Sequence, residues 1–358
     1  MEIAIFLHPF DEKNPAGLGR YILGLTRSLL SEDKENHYTI FVKGGRRPIA
    51  LPGENWEARF CSGGLFWLDR AVIAGPPADV YIFNTPIMPL FNGLKSSVVI
   101  ALDFAYLEMP SRSLKGFVRE KILFHYHRFS LRRSNRVVAI SRAAKKEVID
   151  FFPIAPEKVS VIYPGFTRFS KLVEEPLRLP ERFFLSVGVI KRRKNLLAVV
   201  RAFDRIRESI PDVKLVVVGK TDGEYYKKIV SYIARKNLAD RIVFLGFITD
   251  EKMAYVYKKA LALVFPSRLE GFGFPALEAM DAGLPVITSN TSSLKELGAN
   301  ESALLVNPES ISEIAAAMET IAENSLVRKN LIERGFKQAE SFSWRKSAQE
   351  FLKLINDL

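Results

Sequence analysis

The chain of 358 residues is long enough for two domains that each bury a core, and its 48% hydrophobic and 26% charged content excludes a disordered chain. Its formal net charge of +12 predicts an anionic partner, and its single cysteine, Cys61, excludes a disulfide within the chain, as is typical of the reducing cytoplasm. No apolar run is long enough to span a bilayer, and the opening residues lack a basic leader, so we expect neither a membrane-spanning helix nor a signal peptide.

Short β-branched runs alternate with amphipathic stretches along the chain, a pattern typical of parallel α/β architecture. The predicted strands form two series, which indicates two Rossmann-like halves. The first series is Glu2–Leu7, Tyr38–Val42, Val80–Asn84, Val98–Leu102, Arg136–Ile140 and Val159–Ile162. The second series is Phe183–Val187, Lys214–Val218, Arg241–Leu245, Leu261–Phe265, Pro285–Thr288 and Ala303–Val306.

A proline-rich segment of weak periodicity separates the two series and sets the predicted boundaries. Residues 1–165 form the predicted N-terminal domain, 166–180 a linker and 181–340 the C-terminal domain. Residues 341–358 form a final predicted helix, whose simplest role from its residue pattern is to pack on the C-terminal domain.

Two features of the first half lie where predicted strands end, which is where open α/β sheets bind ligands. Gly17 and Gly19 follow the first strand and open a helix, so they form either a loop that approaches a phosphate or a simple turn. Asp103 ends the fourth strand, where an aspartate either caps the chain or faces a ligand.

Residues 112–136 form a strongly basic helical stretch. It holds eight Lys or Arg residues and one acid, Glu120, interleaved with aromatic and aliphatic residues. One interpretation is peripheral association with an anionic membrane, on the inner face for a cytoplasmic protein. The alternative is a solvated basic face on a helix that packs against the core.

A second basic segment follows the strand Phe183–Val187. Gly188 opens this loop, which continues to Arg193, Lys194 and Asn195, the predicted N-cap of the next helix. Cations before a helix N-terminus oppose the helix dipole, so an anion bound there would explain them. The alternative is a solvated basic loop. We call Arg193 and Lys194 the cation pair.

The segment Glu270–Glu278 is the most informative part of the sequence. It reads Glu-Gly-Phe-Gly-Phe-Pro-Ala-Leu-Glu between a predicted buried strand and a predicted helix, Pro275–Ala282, which ends at Gly283. Glycines allow close backbone approach, and a helix start offers N–H groups to anions. Two carboxylates with these donors predict a clamp for a sugar diphosphate.

The histidines and cysteine do not form a metal-binding pattern. His125 and His127 are two apart on a predicted helix and face different directions. There is no Cys/His cluster, no serine-nucleophile elbow and no nucleic-acid-binding motif. We therefore expect no metal, no cofactor and no nucleic-acid partner.

Together these motifs resemble the retaining glycosyltransferases of family 4, the mannosyltransferase-like group 1 enzymes, over nearly the whole chain. The most specific part is the Glu-x7-Glu motif of Glu270–Glu278, with Pro266-Ser267 before it and Ala282–Ile287 after it. The other matching segments are Gly17 with Gly19, Val137–Ser141, Glu157–Val159, Tyr163–Gly165, Val187-Gly188, Arg193–Asn195, Val218–Lys220 and Phe244–Gly246.

The resemblance implies an α/β protein of the GT-B fold, in which two Rossmann-like parallel-sheet domains face each other across a cleft. The N-terminal domain would take the acceptor and the C-terminal domain the nucleotide sugar, with the last helix crossing back to the N-terminal domain. The implied catalytic residues are Glu270, Lys194, Arg193 and Asp103. The implied donor-binding residues are Gly17, Gly19, Gly188, Arg193, Lys194, Ile248, Glu270, Gly271, Phe272, Gly273, Phe274, Leu277 and Glu278.

The resemblance also implies a role for each group. The cation pair neutralises the leaving diphosphate, and Glu278 accepts hydrogen bonds from the ribose hydroxyls. Glu270 and the backbone that follows it hold the donor sugar. Ile248 borders the base, and Gly17 closes on the phosphates.

The implied reaction is transfer of a hexose, mannose or glucose, from a GDP- or UDP-linked donor to a polysaccharide or lipid-linked glycan, with retained anomeric configuration and no metal. Lipopolysaccharide synthesis is one such setting. The family usually has histidine where this chain has Leu102, before Asp103. A different sugar, substitution by His125 or His127, and reduced activity all stay open. The alternative function is therefore a weak or inactive nucleotide-sugar-binding protein that supports a glycan-assembly complex.

Overall fold

The computed structural model describes residues 1–8, 17–44, 50–64, 66–91, 93–111 and 113–358, which form two compact units. Unit 1 comprises Met1–Phe166 and Phe342–Leu358, and unit 2 comprises Thr167–Ser341. Residues 14–16 of the predicted glycine loop and Arg112 of the basic stretch lie outside the described residues.

Unit 1 is built on a seven-stranded parallel sheet in the order β3-β2-β1-β4-β5-β6-β7. Its strands are β1 (Glu2–Leu7), β2 (His37–Lys43), β3 (Trp56–Cys61), β4 (Val80–Phe83), β5 (Ser97–Ala101), β6 (Arg136–Ala139) and β7 (Val159–Val161). Its helices before the second unit are α1 (Gly17–Glu32), α2 (Trp67–Ala74), α3 (Ala105–Glu108), α4 (Leu114–Arg133) and α5 (Arg142–Phe151).

The core of unit 1 follows from strands that are apolar on both faces, as a parallel sheet covered by helices requires. On β1 only Glu2 is exposed. Phe6 lies opposite Phe41 of β2 and Phe83 of β4, and its ring stacks on both with centroids 4.7 Å apart. This aromatic row ties the three central strands together.

The predicted strands of the first half agree with β1, β2, β4, β5, β6 and β7 to within one residue at each end. The sequence prediction missed β3, which lies at the edge of the sheet with mostly half-exposed or exposed side chains. An edge strand of this kind lacks the continuous apolar run by which a buried parallel strand is recognised.

Unit 2 is built on a six-stranded parallel sheet in the order β10-β9-β8-β11-β12-β13. Its strands are β8 (Phe183–Val187), β9 (Lys214–Val218), β10 (Ile242–Gly246), β11 (Ala262–Phe265), β12 (Val286–Ser289) and β13 (Leu304–Val306). Its helices are α6 (Leu196–Ile206), α7 (Gly223–Arg235), α8 (Asp250–Lys259), α9 (Phe274–Asp281), α10 (Ser292–Leu297), α11 (Ile311–Glu323) and α12 (Ser325–Glu340). Each predicted strand of the second half is present here within one residue at each end.

The segment predicted as a linker, 166–180, is packed on unit 2 from Thr167 onward. Phe169 is buried, and the carboxylate of Asp281 accepts hydrogen bonds from Arg168 and from the backbone and hydroxyl of Ser170, each at 2.9 Å. The division between units therefore falls after Phe166, and these contacts replace the free linker expected from proline content.

The final helix, α13 (Trp344–Asn356), belongs to unit 1, although it follows unit 2 in sequence. The prediction from residue pattern that it packs on the C-terminal domain was therefore wrong. The helix packs on α1, where the Trp344 ring lies edge-on to Tyr21 with centroids 5.8 Å apart. Within the described ranges, none of the helices combines the length and apolar character needed to cross a membrane.

Candidate functional site

The order of strands in unit 2 brings two functional loops together. β8 and β11 are hydrogen-bonded neighbours, and the chain winds outward from them in both directions. Doubly wound sheets bind ligands beyond the carboxyl ends of the strands at such a switch point. The basic loop (residues 188–195) follows β8, and the acidic loop (residues 266–273) follows β11.

Direct hydrogen bonds join the basic loop to the acidic loop. The carbonyl of Arg193 accepts from the backbone N–H of Arg268 at 2.7 Å and lies 2.9 Å from the hydroxyl oxygen of Ser267. Arg268 also donates through Nη1 to the carbonyl of Arg192 at 2.9 Å. The two loops thus form one unit whose side chains have a set spacing.

The Glu270 carboxylate lies between the two members of the cation pair. Arg193 Nη1 is 3.0 Å from Oε2, and Lys194 Nζ is 2.7 Å from Oε1. Ser267 Oγ donates to Oε1 at 2.5 Å, and Arg193 Nη1 also donates to the Leu269 carbonyl at 3.0 Å. The cation pair therefore has an internal carboxylate as partner, an arrangement that neither sequence interpretation included.

The environment of Glu270 keeps it ionised. Burial alone raises the pKa of this carboxyl, but the charges of Lys194 and Arg193, with hydrogen bonds from Lys194 and Ser267, outweigh burial and lower the pKa below its ordinary value. A buried carboxylate with two cations at hydrogen-bonding distance is a charged cluster that a diphosphate can enter by competing for the cations.

Lys194 is held by apolar and glycine contacts as well as by charge. Its ammonium lies over the Phe265 ring, 4.9 Å from the centroid. A Cβ placed on Gly188, whose φ is +133°, would come within 3.7 Å of the Lys194 side chain. That distance is an ordinary van der Waals contact, so the positive φ of Gly188, rather than lack of space, favours glycine here.

Three glycines line the carboxyl ends of β8, β9 and β10. Gly188 N donates to the Val218 carbonyl at 2.9 Å, and Gly219 N donates to the Gly246 carbonyl at 2.8 Å. All three glycines have positive φ. A Cβ on Gly219 would lie 2.0 Å from the Gly188 carbonyl oxygen, so only glycine fits. Gly219 lies in the matching segment Val218–Lys220 but was not predicted as a site residue, although a glycine at the end of each strand indicates such a site.

The acidic loop is held from the other side by two serines that the sequence analysis missed. Ser293 Oγ lies 2.8 Å from the carbonyl oxygens of both Glu270 and Phe272, between which its single hydroxyl hydrogen is shared. Ser292 Oγ accepts from the Glu270 N–H at 3.2 Å. Gly273 has φ +111°, and a Cβ there would lie 2.6 Å from Leu294. Serines are common at helix starts, so the sequence alone does not indicate that these two hold the acidic loop.

The second glutamate of the motif lies on α9, which begins at Phe274 with Pro275 in its first turn. Glu278 is buried, and its Oε2 accepts a hydrogen bond from the Tyr257 hydroxyl at 3.0 Å. Leu277 has no exposed surface, so its side chain is packed in the interior of unit 2.

The remaining predicted donor residues of unit 2 occupy the same loops. Gly271 and Phe272 are buried in the acidic loop, and Phe274 is half-buried at the start of α9. Ile248 is half-buried in the loop after β10. The structure thus places the predicted donor-binding residues of unit 2 on α9 and at the end of the sheet beyond β8, β10 and β11.

The other predicted site residues, Gly17, Gly19 and Asp103, belong to unit 1. Gly17 and Gly19 begin α1, and Asp103 follows β5, where its Oδ1 accepts from the Ala105 N–H at 3.3 Å. Their roles toward a ligand stay predictions. His127 is buried and lies 3.1 Å from the Tyr106 hydroxyl, and burial lowers the pKa of His127 to about 4.

A buried acid next to Asp103 was also missed by the sequence analysis. Glu147 of α5 accepts a hydrogen bond from the Phe104 N–H at 2.9 Å. Burial, with a smaller contribution from the charges of Asp103 and Glu108, raises the pKa of Glu147 to about 7 against the lowering effect of that hydrogen bond. Across the described segments, no group of three or more His, Cys, Asp or Glu side chains has the arrangement of a metal site.

Two units that are each built on a doubly wound parallel sheet are the architecture of the GT-B class of glycosyltransferase folds. The profile described as Glycosyltransferase Family 4 matches residues 16–167, and that described as Glycosyl transferases group 1 matches residues 169–338. The chain belongs to family 4 of the glycosyltransferases, in the group 1 type.

Curated glycosyltransferases are similar to this chain in sequence, and solved structures share its fold. The serotype-specific mannosyltransferase WbdA of Escherichia coli is 30% identical over 60% of this chain, which spans 28% of that relative's length. The E. coli O-antigen chain mannosyltransferase B is 27% identical over 74% of this chain and 71% of its own. Sucrose-phosphate synthase from Thermosynechococcus elongatus superposes with a TM-score of 0.82 and 21% identity, covering 99% of this chain and 98% of its own. HepE from Anabaena, solved in complex with UDP-glucose, gives a TM-score of 0.75 and 17% identity over 100% of both chains.

Proposed function

We propose that this protein is a retaining, metal-independent glycosyltransferase that moves a hexose, mannose or glucose, from a nucleotide diphosphate sugar to a polysaccharide or lipid-linked glycan. The observation that carries the proposal is the cation pair held 3.0 and 2.7 Å from Glu270 at the switch point of unit 2. Its family membership and the mannosyltransferase names of its relatives support mannose as the first sugar to test.

The chemistry of the leaving group explains why the cations are held in advance. Negative charge builds on the diphosphate as the glycosidic bond breaks. Cations already in position stabilise that charge more in the transition state than in the ground state. In the proposed donor complex, Arg193 and Lys194 donate hydrogen bonds to the diphosphate instead of to Glu270. The freed Glu270 oxygens then accept hydrogen bonds from hydroxyls of the donor sugar.

The remaining parts of the donor have partners along the same sheet edge. We assign the ribose hydroxyls to Glu278, the base to the surroundings of Ile248, and the sugar to the backbone of Phe272 and Gly273. The row of glycines at the ends of β8 to β10 leaves the strand ends free of side chains, which permits close approach of the phosphates.

A donor-binding screen with a transfer assay tests the proposal. We expect one of GDP-mannose, UDP-glucose or ADP-glucose to raise the melting temperature by mass action. The same donor should support transfer to a glycan acceptor, with the anomeric configuration retained, in the presence of EDTA. No stabilisation by any of them at millimolar concentration would contradict the donor site, and activity lost in EDTA would contradict metal independence.

The second candidate function is donor binding without transfer. Leu102 precedes Asp103 and offers no imidazole to a sugar or an acceptor. A protein that is stabilised by a nucleotide sugar but neither hydrolyses nor transfers it would support this binding role instead.

We further propose that this protein is cytoplasmic and binds an anionic membrane through α4, so that it can reach lipid-linked acceptors there. Leu114, Val118 and Ile122 recur every four residues on its solvent side and are 80%, 50% and 65% exposed. Phe129 continues this apolar face. A solvated basic helix has no need of such a row of exposed apolar side chains.

The charge of α4 matches that partner. Its exposed cations flank the apolar face, and they are Lys115, Arg119, Lys121, Arg132 and Arg133. Its one acid, Glu120, is turned back to accept hydrogen bonds from the Ser111 N–H at 2.9 and 3.1 Å. Basic residues beside an apolar strip are typical of helices that lie in the headgroup region.

Sedimentation with lipid vesicles tests α4. We expect the protein to bind vesicles that contain phosphatidylglycerol and not pure phosphatidylcholine, and the double variant Val118→Glu, Ile122→Glu to lose binding. The matched control is Val230→Glu, Leu326→Glu, which alters exposed aliphatic side chains on helices of unit 2. Equal binding by the α4 variant and this control would contradict the assignment.

A further inference from the structure

Asn195 does not have the role that its position in the sequence predicts. The residue precedes α6, but its side chain makes no capping hydrogen bond to that helix. It is 1% exposed, and its backbone has φ +62°, in the left-handed region. Its Nδ2 instead donates to two carbonyls, those of Pro266 at 3.1 Å and Pro308 at 2.7 Å.

The two carbonyls belong to different loops. Pro266 begins the acidic loop that leads to Glu270, and Pro308 lies between β13 and α11. Asn195 itself directly follows the cation pair. A single amide group therefore joins three chain segments at the end of the sheet.

The cation pair is consequently held from both sides. Before it, the Arg193 carbonyl accepts a hydrogen bond from the Arg268 N–H at 2.7 Å. After it, the Asn195 amide binds the start of the acidic loop. These bonds set where Arg193 and Lys194 stand relative to Glu270.

We propose that Asn195 is a positioning residue that holds the cation pair at the spacing needed to bind the diphosphate of a nucleotide donor, an inference that rests on the proposed function. Without the amide, two buried carbonyls lose their donor and the basic loop is free to shift. Fixed cations bind a diphosphate better than mobile ones because no reorganisation is needed.

Few residues satisfy this position. The backbone requires the left-handed region, which asparagine and glycine tolerate best. The two carbonyls require two N–H donors on one atom, which aspartate and serine lack. Glycine meets the first requirement alone, so Asn195→Gly removes the amide and leaves the backbone unstrained.

The test compares diphosphate with monophosphate binding by calorimetry. The probes are UDP, GDP, UMP and GMP. We expect Asn195→Gly to lower the ratio of monophosphate to diphosphate Kd by about tenfold. The matched control is Asn237→Gly, the same change at an exposed left-handed asparagine of unit 2, which should keep the wild-type ratio.

The ratio separates positioning from stability, because general loosening of unit 2 weakens both ligands together and leaves the ratio unchanged. Should Asn195→Gly fail to fold, Asn195→Ala repeats the comparison with the donors lost and no charge added beside the cation pair. An unchanged ratio in a folded variant overturns this inference alone. A wild-type protein that binds neither UDP nor GDP overturns the proposed function as well.

Discussion

Lys194 is the side chain on which the proposed transfer depends most directly, since its ammonium makes the shorter of the two cation contacts with Glu270, at 2.7 Å, and is held over Phe265. We expect Lys194→Ala to lower kcat by about 100- to 1,000-fold, the typical effect of removing one preorganised transition-state donor. Arg193 and Ser267 still satisfy Glu270, so the variant should fold.

The measurement is donor turnover, with circular dichroism as the check on folding. Lys191→Ala is the control, because it removes an exposed cation of the same loop. Near-normal turnover by Lys194→Ala would contradict its role.

Glu147 makes a different kind of prediction at the residue scale, because its pKa is raised to about 7 by burial. A carboxyl with a raised folded-state pKa favours folding while it is protonated, and this contribution is lost as pH rises through about 7. We expect Glu147→Gln to be more stable than the wild type by roughly 3 kcal/mol at most at pH 8, and equal to it at pH 4.

Unfolding in urea at several pH values measures this difference. Glu157→Gln, at an exposed acid of unit 1, should show the wild-type pH dependence. The pH dependence of stability due to Glu270 has the opposite sign to that of Glu147. The pKa of Glu270 is lowered, so its contribution to stability is lost only as pH falls. A pH-independent difference between wild type and Glu147→Gln would show that the carboxyl is not titrating in this range.

At the scale of elements, the ends of β8, β9 and β10 depend on glycines for different reasons. Gly219 has φ +150° and no space for a Cβ, whereas Gly246 has φ +69° and nothing within 4 Å. We expect Gly246→Ala to lower the free energy of unfolding of unit 2 by about 1–2 kcal/mol, because the alanine must adopt a left-handed backbone conformation. Gly219→Ala should cost more, because its Cβ meets the Gly188 carbonyl.

Hydrogen exchange in the strands of unit 2 measures these effects. Tryptophan fluorescence would report on the wrong unit, because all three tryptophans belong to unit 1. Comparable losses of protection in the two variants would mean that the β8 and β9 ends can separate freely. Greater loss in Gly219→Ala, together with weaker nucleotide binding, is the expected result.

At the scale of the whole molecule, the last helix stabilises the unit that the chain begins with. A Cβ on Gly24 of α1 would lie 2.3 Å from the Trp344 ring, so the helices α1 and α13 are in close contact. We expect Trp344→Ala to lower the stability of unit 1 by up to about 3 kcal/mol and to leave unit 2 unchanged.

Exchange rates of α1 amides compared with those of unit 2 check this result. Arg345→Ala is the control, since its surface ion pair with Glu32 contributes little. Equal effects of Trp344→Ala in both units would contradict the assignment of α13 to unit 1.

The sequence by itself determined the repeating α/β pattern, the positions of twelve strands and the two loops that hold the charged residues. These features are local, because buried parallel strands are continuous apolar runs and glycines mark where they end. The half-exposed edge strand β3 lacked that signal, and the proline-rich segment 166–180 suggested a linker where the tertiary structure packs it on unit 2.

Only the tertiary structure decided how the charges are paired. Arg193 and Glu270 are 77 positions apart, and their contact depends on β8 and β11 being neighbours in the sheet. Asn195 was expected to cap a helix. Because β8 and β11 are neighbours, its amide instead donates hydrogen bonds to the carbonyls of Pro266 and Pro308, which are distant in sequence, and so joins their loops. Periodicity and residue type report on the segment in which they occur, whereas strand order brings distant segments into contact.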